Sequence, residues 1–351
     1  MTEMPEIGKI SPDVFEKMIL PFLGALDRSV LVGPQNGVDV GVIEIGGKAV
    51  SFTTDPVFIV PEYGWERAAW FAIHIIASDS ATSGLAPRYL SIDLNLPMDI
   101  STAQLDTVWQ TMHRECKKLG IAVITGHTGR YENCHYPMVG GATMVGVGDI
   151  DKYVSPKFAS ARDKIIITKG PAIEASGIFA TMFPALLEKE FGQEFSQKAQ
   201  GIFYKMSTVE EAMTAVSVGV REKGVTAMHD ATECGIWGGL FEIAQAAGLG
   251  VTVEKESIVV EDCVSEICRH FGIDPYASIS EGTQIISCRP RYADAILKAI
   301  TDKGIKASIA GELTDATKGM VLIEKGKARK LEHPVVDPFW RAFYDALAGG
   351  N

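Results

Sequence analysis

The sequence predicts a mixed α+β (α/β) protein of two domains. The first observation is the length of 351 residues, which exceeds what one small hydrophobic core usually organises. The second is the alternation of short β-branched runs with segments whose apolar residues recur at helical spacing. The third is a polar stretch with a proline at 149–162. We therefore expect domains at 1–155 and 156–330, followed by a tail at 331–351.

The composition is that of a soluble globular protein and argues against several classes of function. Hydrophobic residues make up 46% and charged residues 22%, which is not a disordered balance. The net charge is -11, whereas a nucleic-acid surface needs clustered Lys and Arg. The sequence shows no secretory signal and no membrane-spanning apolar run. We expect a cytoplasmic protein that binds neither nucleic acid nor a membrane.

The first half of the sequence predicts helices and strands in alternation. Ser11 and Pro12 are typical of a helix start. Two apolar runs flank Gly46–Gly47 and predict a β-hairpin over 40–54. The remaining elements are predicted as helices at 64–80 and 102–119 and strands at 89–96, 121–125 and 140–147.

The second half predicts another α+β layer. Its helices are predicted to stop at glycines such as Gly248 and Gly272, which suit the left-handed conformation after a helix. The predicted strands are 164–168, 225–228, 250–253, 277–281, 283–288, 307–311 and 320–324. The predicted helices are 173–187, 207–220, 236–247, 263–271 and 291–303.

Three aspartates, Asp39, Asp55 and Asp79, each stand at a turn beside an apolar element. Asp39 and Asp55 lie beside neighbouring strands of the predicted hairpin, so their carboxylates can meet. Mg²⁺ takes oxygen ligands and often shares them with substrate phosphates. These residues therefore predict a magnesium site. The alternative is structural, because Asp also caps helices and forms local turns.

A Gly-His-Thr-Gly-Arg segment at 126–130 follows an apolar run and is predicted to be a loop between two strands. Glycines let backbone N–H groups approach a phosphate, and Arg130 can pair with one. His127 can bind a metal or carry a proton. The alternatives are an ordinary hairpin and a transition-metal site that joins His127 with Cys134 or His135.

Three further segments are candidates for chemistry in the second half. Lys169–Gly170 can line a phosphate or form a plain turn. Residues 230–235 lead into a helix whose free N–H groups can meet an anion, unless Asp230 or Thr232 simply caps it. Glu281 is a candidate base, ligand or turn residue. The other histidines are expected to be packing or surface residues: His74, His113, His229 and His270.

Seven motifs in this order resemble the AIR synthase (PurM-type) superfamily from about residue 31 to about residue 324. Their spacing is most similar to the hydrogenase-maturation carbamoyl dehydratase and thiamine-monophosphate kinase branches. The motifs are Gly33 to Asp39, Phe52-Thr53-Thr54-Asp55, Ser78-Asp79 with Gly84 to Leu90, Gly126-His127-Thr128, Met228 to Thr232, Ser280-Glu281-Gly282 and Ile309 to Glu312.

The resemblance implies a PurM-like fold. In this fold the N-terminal domain forms a β-barrel across a homodimer, and the C-terminal domain is an α/β sandwich. It also implies ATP and Mg²⁺ in a cleft between the domains, and phosphoryl transfer from ATP to an oxygen of a small-molecule substrate.

The resemblance also assigns expected roles to individual residues. Asp39, Asp55 and Asp79 would bind the metal. Catalytic roles would fall to His127, Asp230 and Glu281. The residues expected along the nucleotide are Gly37, Thr54, Gly126, Thr128, Arg130, Lys169 and Gly170.

Three residues depart from the pattern of the superfamily. Val38 and His127 stand where the superfamily has acids, and Glu233 stands where it has an arginine. These departures keep open the alternative of a nucleotide- or metabolite-binding scaffold or regulatory protein. No cysteine follows Cys288, so we expect no chemistry on a C-terminal thiol.

Overall fold

Two β-sheets and the helices packed on and between them make up the computed structural model, which describes residues 10–349. The strands are β1 (Val30–Val32), β2 (Gly41–Ile45), β3 (Lys48–Phe58), β4 (Pro87–Leu96), β5 (Ala122–Arg130), β6 (Met138–Asp149), β7 (Lys164–Thr168), β8 (Val225–Asp230), β9 (Gly250–Glu254), β10 (Gln284–Cys288), β11 (Ala307–Thr314), β12 (Met320–Glu324) and β13 (Lys327–Lys330). The α-helices are α1 (Pro12–Val14), α2 (Trp65–Ala81), α3 (Thr102–Leu119), α4 (Ile173–Met182), α5 (Pro184–Phe191), α6 (Gln193–Gln200), α7 (Val209–Val218), α8 (Gly235–Ala246), α9 (Val264–His270), α10 (Ala293–Thr301) and α11 (Pro338–Gly349).

The first sheet has six strands in the order β1-β2-β3-β6-β4-β5. All neighbours are antiparallel except β4 and β5. Gly46 and Gly47 make the tight turn of the predicted β2–β3 hairpin with φ of 58° and 80°. Helices α2 and α3 cover one face of this sheet with apolar side chains, and the opposite face is open.

The strands predicted at 121–125 and 140–147 do not pair with each other, so the alternative of an ordinary hairpin is wrong. Strand β4 lies between β5 and β6 and pairs with both. Strands β4 and β5 run parallel, so helix α3 serves as the crossover between them. The segment 126–130, expected to be a loop, is instead the second half of the edge strand β5.

The second sheet has seven strands in the order β13-β12-β9-β11-β7-β10-β8. Helices α7 and α10 pack on one face, in the same apolar core as α2. Helix α8 packs on the other face. A third core joins α4, α5, α9 and α11. Because α2 and α7 share a core, the end of α2 comes close to the strand ends of the second sheet.

Local sequence signals placed several elements correctly. Helix α3 has the predicted bounds, because Ser101 and Gln104 form a capping box and Gly120 ends the helix with φ of 73°. The predicted helix at 173–187 instead divides into α4 and α5. Pro184 lacks an N–H and opens a new helix at its first turn. Helix α6 was not predicted.

Residues 277–281, predicted to be a strand, form a buried turn instead. Ser280 donates its N–H to the carbonyl of Thr232, and Thr283 donates its own to the carbonyl of Ser280. Gly282 has φ of 100°, which suits glycine and not a strand. The turn delivers the chain into β10 beside the end of β8.

The two sheets do not test the predicted β-barrel or the predicted domain boundary. In residues 10–349 neither sheet closes into a barrel, and β1 and β5 remain at the ends of the first sheet. The β-barrel across a dimer and the division of the chain at residue 155 stay predictions. No helix in the described part of the chain is both long enough and apolar enough to cross a membrane.

Candidate functional site

Three carboxylates from distant parts of the chain meet where the layers join. One oxygen each from Asp79, Asp230 and Glu281 lies within 4.8 Å of the other two. Asp79 lies in the last turn of α2, Asp230 is the last residue of β8, and Glu281 belongs to the turn before β10. We call these three residues, together with the neighbouring Asp39 and Asp55, the acid cluster.

Strand pairing and helix packing bring the cluster together. Asp230 at the end of β8 pairs with Gln284 at the start of β10, so the turn that carries Glu281 lies beside Asp230. The backbone N–H of Thr208 donates to the Oγ of Ser78, which ties the end of α2 to the second half of the chain. Asp79 is therefore held opposite the β8–β10 edge.

The acids are partly fixed by the protein and partly left without partners. Asp230 accepts a hydrogen bond from Thr208 through Oδ2 at 3.2 Å, and Glu281 accepts one from Thr232 through Oε1 at 3.4 Å. Among residues 10–349, no hydrogen-bond partner is found for the other oxygens, Asp230 Oδ1 and Glu281 Oε2, or for Asp55 Oδ2, and all three oxygens are buried. Buried oxygens of this kind fit a hard divalent cation, which takes carboxylate ligands.

Burial and mutual repulsion favour the protonated forms of these acids. Burial, followed by the nearby Asp55 carboxylate, raises the pKa of Asp79 well above its usual value. Burial and Asp230 do the same to the pKa of Glu281. Burial and Asp39 raise the pKa of Asp230 to about 7. A cation in the cluster would relieve this repulsion.

His229, which we expected to be a packing residue, joins the site. It is 1% exposed, and its ring contacts two carboxylates. Nδ1 lies 3.0 Å from Asp39 Oδ2, and Nε2 lies 2.7 Å from Glu242 Oε2. Burial alone would lower the pKa of His229, but Asp39 and Glu242 raise it to about 10. The sequence signals were its position beside Asp230 and its place in the motif Met228 to Thr232, whereas its contacts with Asp39 and Glu242 could not be read from the sequence.

Lys169 and Gly170, predicted along a nucleotide, are engaged inside the protein. The ammonium group of Lys169 lies 2.6 Å from Glu211 and also donates to the carbonyls of Lys205 and Ser207. An ammonium group has three hydrogens, so these three partners use them all. A Cβ on Gly170 would overlap the carbonyl of Val259, so close chain packing explains this glycine.

The predicted nucleotide residues of the first half lie mainly on the open face of the first sheet. Thr54 and Asp55 are consecutive on β3 and face opposite sides, so Asp55 points to α2 and Thr54 to the open face. A cavity of about 390 Å³ on the open face is lined by Thr54, Ser91, Ile92, Asp93, Thr125, Gly126, His127, Gly141, Ala142 and Thr143. Thr128 and Arg130 are exposed on β5 and do not line it.

His127 is therefore separated from the acid cluster by the sheet. Its Nε2 lies 2.6 Å from the hydroxyl of Tyr131. Within residues 10–349, the one group of three or more potential metal ligands is Asp79, Asp230 and Glu281. His127, Cys134 and His135 therefore do not form a group of three potential metal ligands in this part of the chain.

Matches to two domain families cover most of the chain. Residues 37–148 match the N-terminal domain of AIR synthase related proteins. Residues 161–324 match their C-terminal domain.

Curated relatives match over nearly the same length. The chain is 25% identical over 340 residues to a putative hydrogenase expression/formation protein of Methanocaldococcus jannaschii, which covers 95% of this chain and 96% of that protein. It is 25% identical over 319 residues to carbamoyl dehydratase HypE of Escherichia coli strain K12, with 88% of each chain covered.

Solved structures share the fold. The structure of AaThiL complexed with AMPPCP and TMP aligns with a TM-score of 0.65 and 20% identity, covering 84% of this chain and 89% of that one. A structure of the hydrogenase maturation protein HypE in complex with ATP aligns with a TM-score of 0.64 and 20% identity. The alignment covers 95% of this chain and 97% of that one. The chain belongs to the AIR synthase related (PurM-type) family.

Proposed function

We propose that this protein binds ATP with Mg²⁺ at the acid cluster and phosphorylates an oxygen of a small-molecule substrate, which activates that oxygen as a leaving group. The observation that carries the proposal is the meeting of Asp79, Asp230 and Glu281 within 4.8 Å. The partnerless oxygens of Asp230 and Glu281 fit a hard cation. The nucleotide is supported by the similar proteins, whose structures contain ATP or AMPPCP.

The acid cluster supplies the ligands that such a cation needs. Asp79, Asp230 and Glu281 would hold it, with Asp39 and Asp55 beside them. When bound, Mg²⁺ neutralises charge that develops on the phosphates during transfer. Burial and Asp39 raise the pKa of Asp230 to about 7 in the metal-free protein, and a bound cation would lower this pKa and keep the carboxylate ionised as a ligand. Thr208 and Thr232 keep Asp230 and Glu281 in place through single oxygens.

A second candidate function is binding without turnover. The site has no acid at Val38, and Lys169 has no ammonium hydrogen left for a phosphate. A protein with these features can retain a nucleotide or metabolite and act as a scaffold or regulator. Release of phosphate from ATP with any metabolite of a substrate screen would favour the enzyme. Tight ATP binding with no release would favour the scaffold.

We also propose that the open face of the first sheet packs against a second copy of the chain. This face carries exposed apolar side chains, including Phe52 and Tyr89, each of which is 36% exposed. Ile124 on the edge strand β5 is 59% exposed. Monomeric proteins seldom leave such a surface uncovered. In the dimer, Thr54, Gly126 and His127 would face the partner and become candidates for nucleotide contacts.

The first test is a calorimetric titration of ATP with and without Mg²⁺. We expect binding that depends on Mg²⁺ and is lost in an Asp79→Asn variant. The matched control is Asp106→Asn, because Asp106 is an exposed acid of α3 that accepts hydrogen bonds from the neighbouring Gln110 on the same helix. Equal binding by the Asp79→Asn variant and the parent would overturn the proposal, and so would an absence of binding in both conditions.

A further inference from the structure

The turn at Gly37–Asp39 docks on the second half of the chain at one point of helix α8. A Cβ on Gly37 would overlap the backbone of Glu242, so the turn and the helix are in direct contact. The hydroxyl of Thr53 donates to the carbonyl of Asp39 at 2.9 Å and holds the backbone of the turn to β3. The position of the Asp39 side chain then depends on its hydrogen-bond partners in the second half of the chain.

His229 is what the Asp39 side chain meets. The imidazole is buried between Asp39 and Glu242, with its two nitrogens 3.0 Å and 2.7 Å from their carboxylate oxygens. A neutral imidazole donates only one hydrogen, whereas an imidazolium donates two. Two carboxylate acceptors on opposite sides of the ring therefore indicate the cation. We call Asp39, His229 and Glu242 the imidazolium bridge.

Without the bridge, Asp39 would face like charges. It lies close enough to Asp79 and Asp230 to raise the pKa of both. The backbone N–H of Asp230 reaches Asp39 Oδ2 only at 3.4 Å, a long hydrogen bond. Repulsion would turn the carboxylate away from the cluster unless a cation holds it there.

We propose that His229 is a positioning residue that holds the Asp39 carboxylate at the acid cluster and ties it to α8 through Glu242. The inference rests on the proposed Mg²⁺ and ATP site. Among residues 10–349, the two hydrogen bonds to the Asp39 carboxylate both use Oδ2, so the carboxylate can meet His229 with one oxygen and offer the other to a cation. His229 thus acts on the cluster through Asp39 and does not itself bind the metal.

The test compares Mg²⁺-dependent ATP binding by the full-length parent and a His229→Gln variant. We expect the Mg²⁺ concentration for half-maximal ATP binding to rise about 10- to 100-fold, as when a group that orients a metal ligand is lost. ATP binding without Mg²⁺ should stay unchanged. His229→Lys restores a cation and should recover most of the Mg²⁺ affinity. An unchanged Mg²⁺ requirement in His229→Gln would overturn the proposal.

Two controls separate the bridge from general damage. His74→Gln removes another buried histidine that contacts a carboxylate, that of Glu115, and it should leave the Mg²⁺ requirement unchanged. Glu242→Gln changes the outer half of the bridge and leaves His229 and Asp39 in place, and the Glu242 side chain is 29% exposed, so this variant serves if His229→Gln does not fold. We expect Glu242→Gln to raise the Mg²⁺ requirement as well. An equal effect of His74→Gln would overturn the proposal.

A measurement without nucleotide distinguishes failure of the bridge from failure of the proposed function. Urea unfolding of Asp39→Asn, His229→Gln and the double variant measures the coupling of the two residues. The bridge predicts that the double change costs clearly less than the two single changes added together. Additive effects would overturn the inference even if ATP bound with Mg²⁺. If the two residues are coupled but the parent protein binds no ATP, the imidazolium bridge is supported and the proposed function is rejected.

Discussion

Asp79 of α2, which is half-buried, and Glu281 of the turn before β10, which is buried, hold carboxylate oxygens within 4.8 Å of each other. Like charges at this distance repel strongly where little water screens them. The side chains that shift the pKa of these two acids most are other acids, namely Asp55 for Asp79 and Asp230 for Glu281. Clustered acids of this kind destabilise the protein when no ligand is bound. Such clusters are typical of functional sites, where a bound ligand offsets the loss of stability.

The first prediction concerns pH. The pKa of Asp230 is raised from its usual 3.8 to about 7 by burial and Asp39, so the folded protein binds its proton more tightly than the unfolded chain. Its contribution to stability is complete below 3.8 and is lost as pH rises through 7. Without divalent cations, Asp230→Asn should gain stability over the parent across this window, as measured by urea unfolding. A difference that stays constant with pH would contradict the assignment.

The second prediction is a trade of stability against binding at Glu281. Glu281→Gln removes one repelling charge and should stabilise the metal-free protein by about 1 kcal/mol. The same variant should lose Mg²⁺-dependent ATP binding. Glu190→Gln is the control, because Glu190 is exposed on α5 and should change neither quantity. A destabilised Glu281→Gln that still binds ATP with Mg²⁺ would argue for a structural role of this acid.

The third prediction separates close packing from backbone conformation at Gly37. Gly37 has φ of 74°, and a Cβ there would overlap Glu242. Gly37→Ala should destabilise the protein by about 2 kcal/mol or more. Gly120 has φ of 73° in the left-handed helical region with open space around it, so Gly120→Ala should cost only about 1 kcal/mol. If the two alanine variants lost equal amounts of Tm, the turn at Gly37 would be free to move away from α8, and close packing there would not matter.

The fourth prediction tests whether Lys169 is structural. The ion pair with Glu211 is buried, so Lys169→Met should lower the free energy of unfolding by about 3–5 kcal/mol. Adding Glu211→Gln should recover part of this loss, because it removes the unpaired buried charge. If Lys169→Met kept its stability and instead lost ATP affinity, the nucleotide-binding role expected from the sequence would be correct.

The fifth prediction concerns the open face of the first sheet. Light scattering should find a dimer for the parent and a monomer for Phe52→Glu, because a buried charge in the middle of the face opposes association. Val335→Glu is the control, since Val335 is 96% exposed on the C-terminal segment. A monomeric parent, or equal effects of the two changes, would remove the proposed dimer.

Much of the secondary structure could be predicted because its signals are local. The capping box at Ser101 and the glycine at 120 set the ends of α3, and the paired glycines at 46 and 47 set the β2–β3 turn. The family could be recognised for a similar reason. Its motifs are short, and their order survives in the sequence.

By itself, the sequence therefore determined the fold class, most elements and which acids are candidates for a metal site. Only the tertiary structure decided that β4 separates β5 from β6, that His127 faces away from the acid cluster, and that His229 meets Asp39. Strand order and side-chain partners arise from contacts between residues far apart in the chain. No local pattern records those contacts, because they depend on how the sheets and α2 pack together.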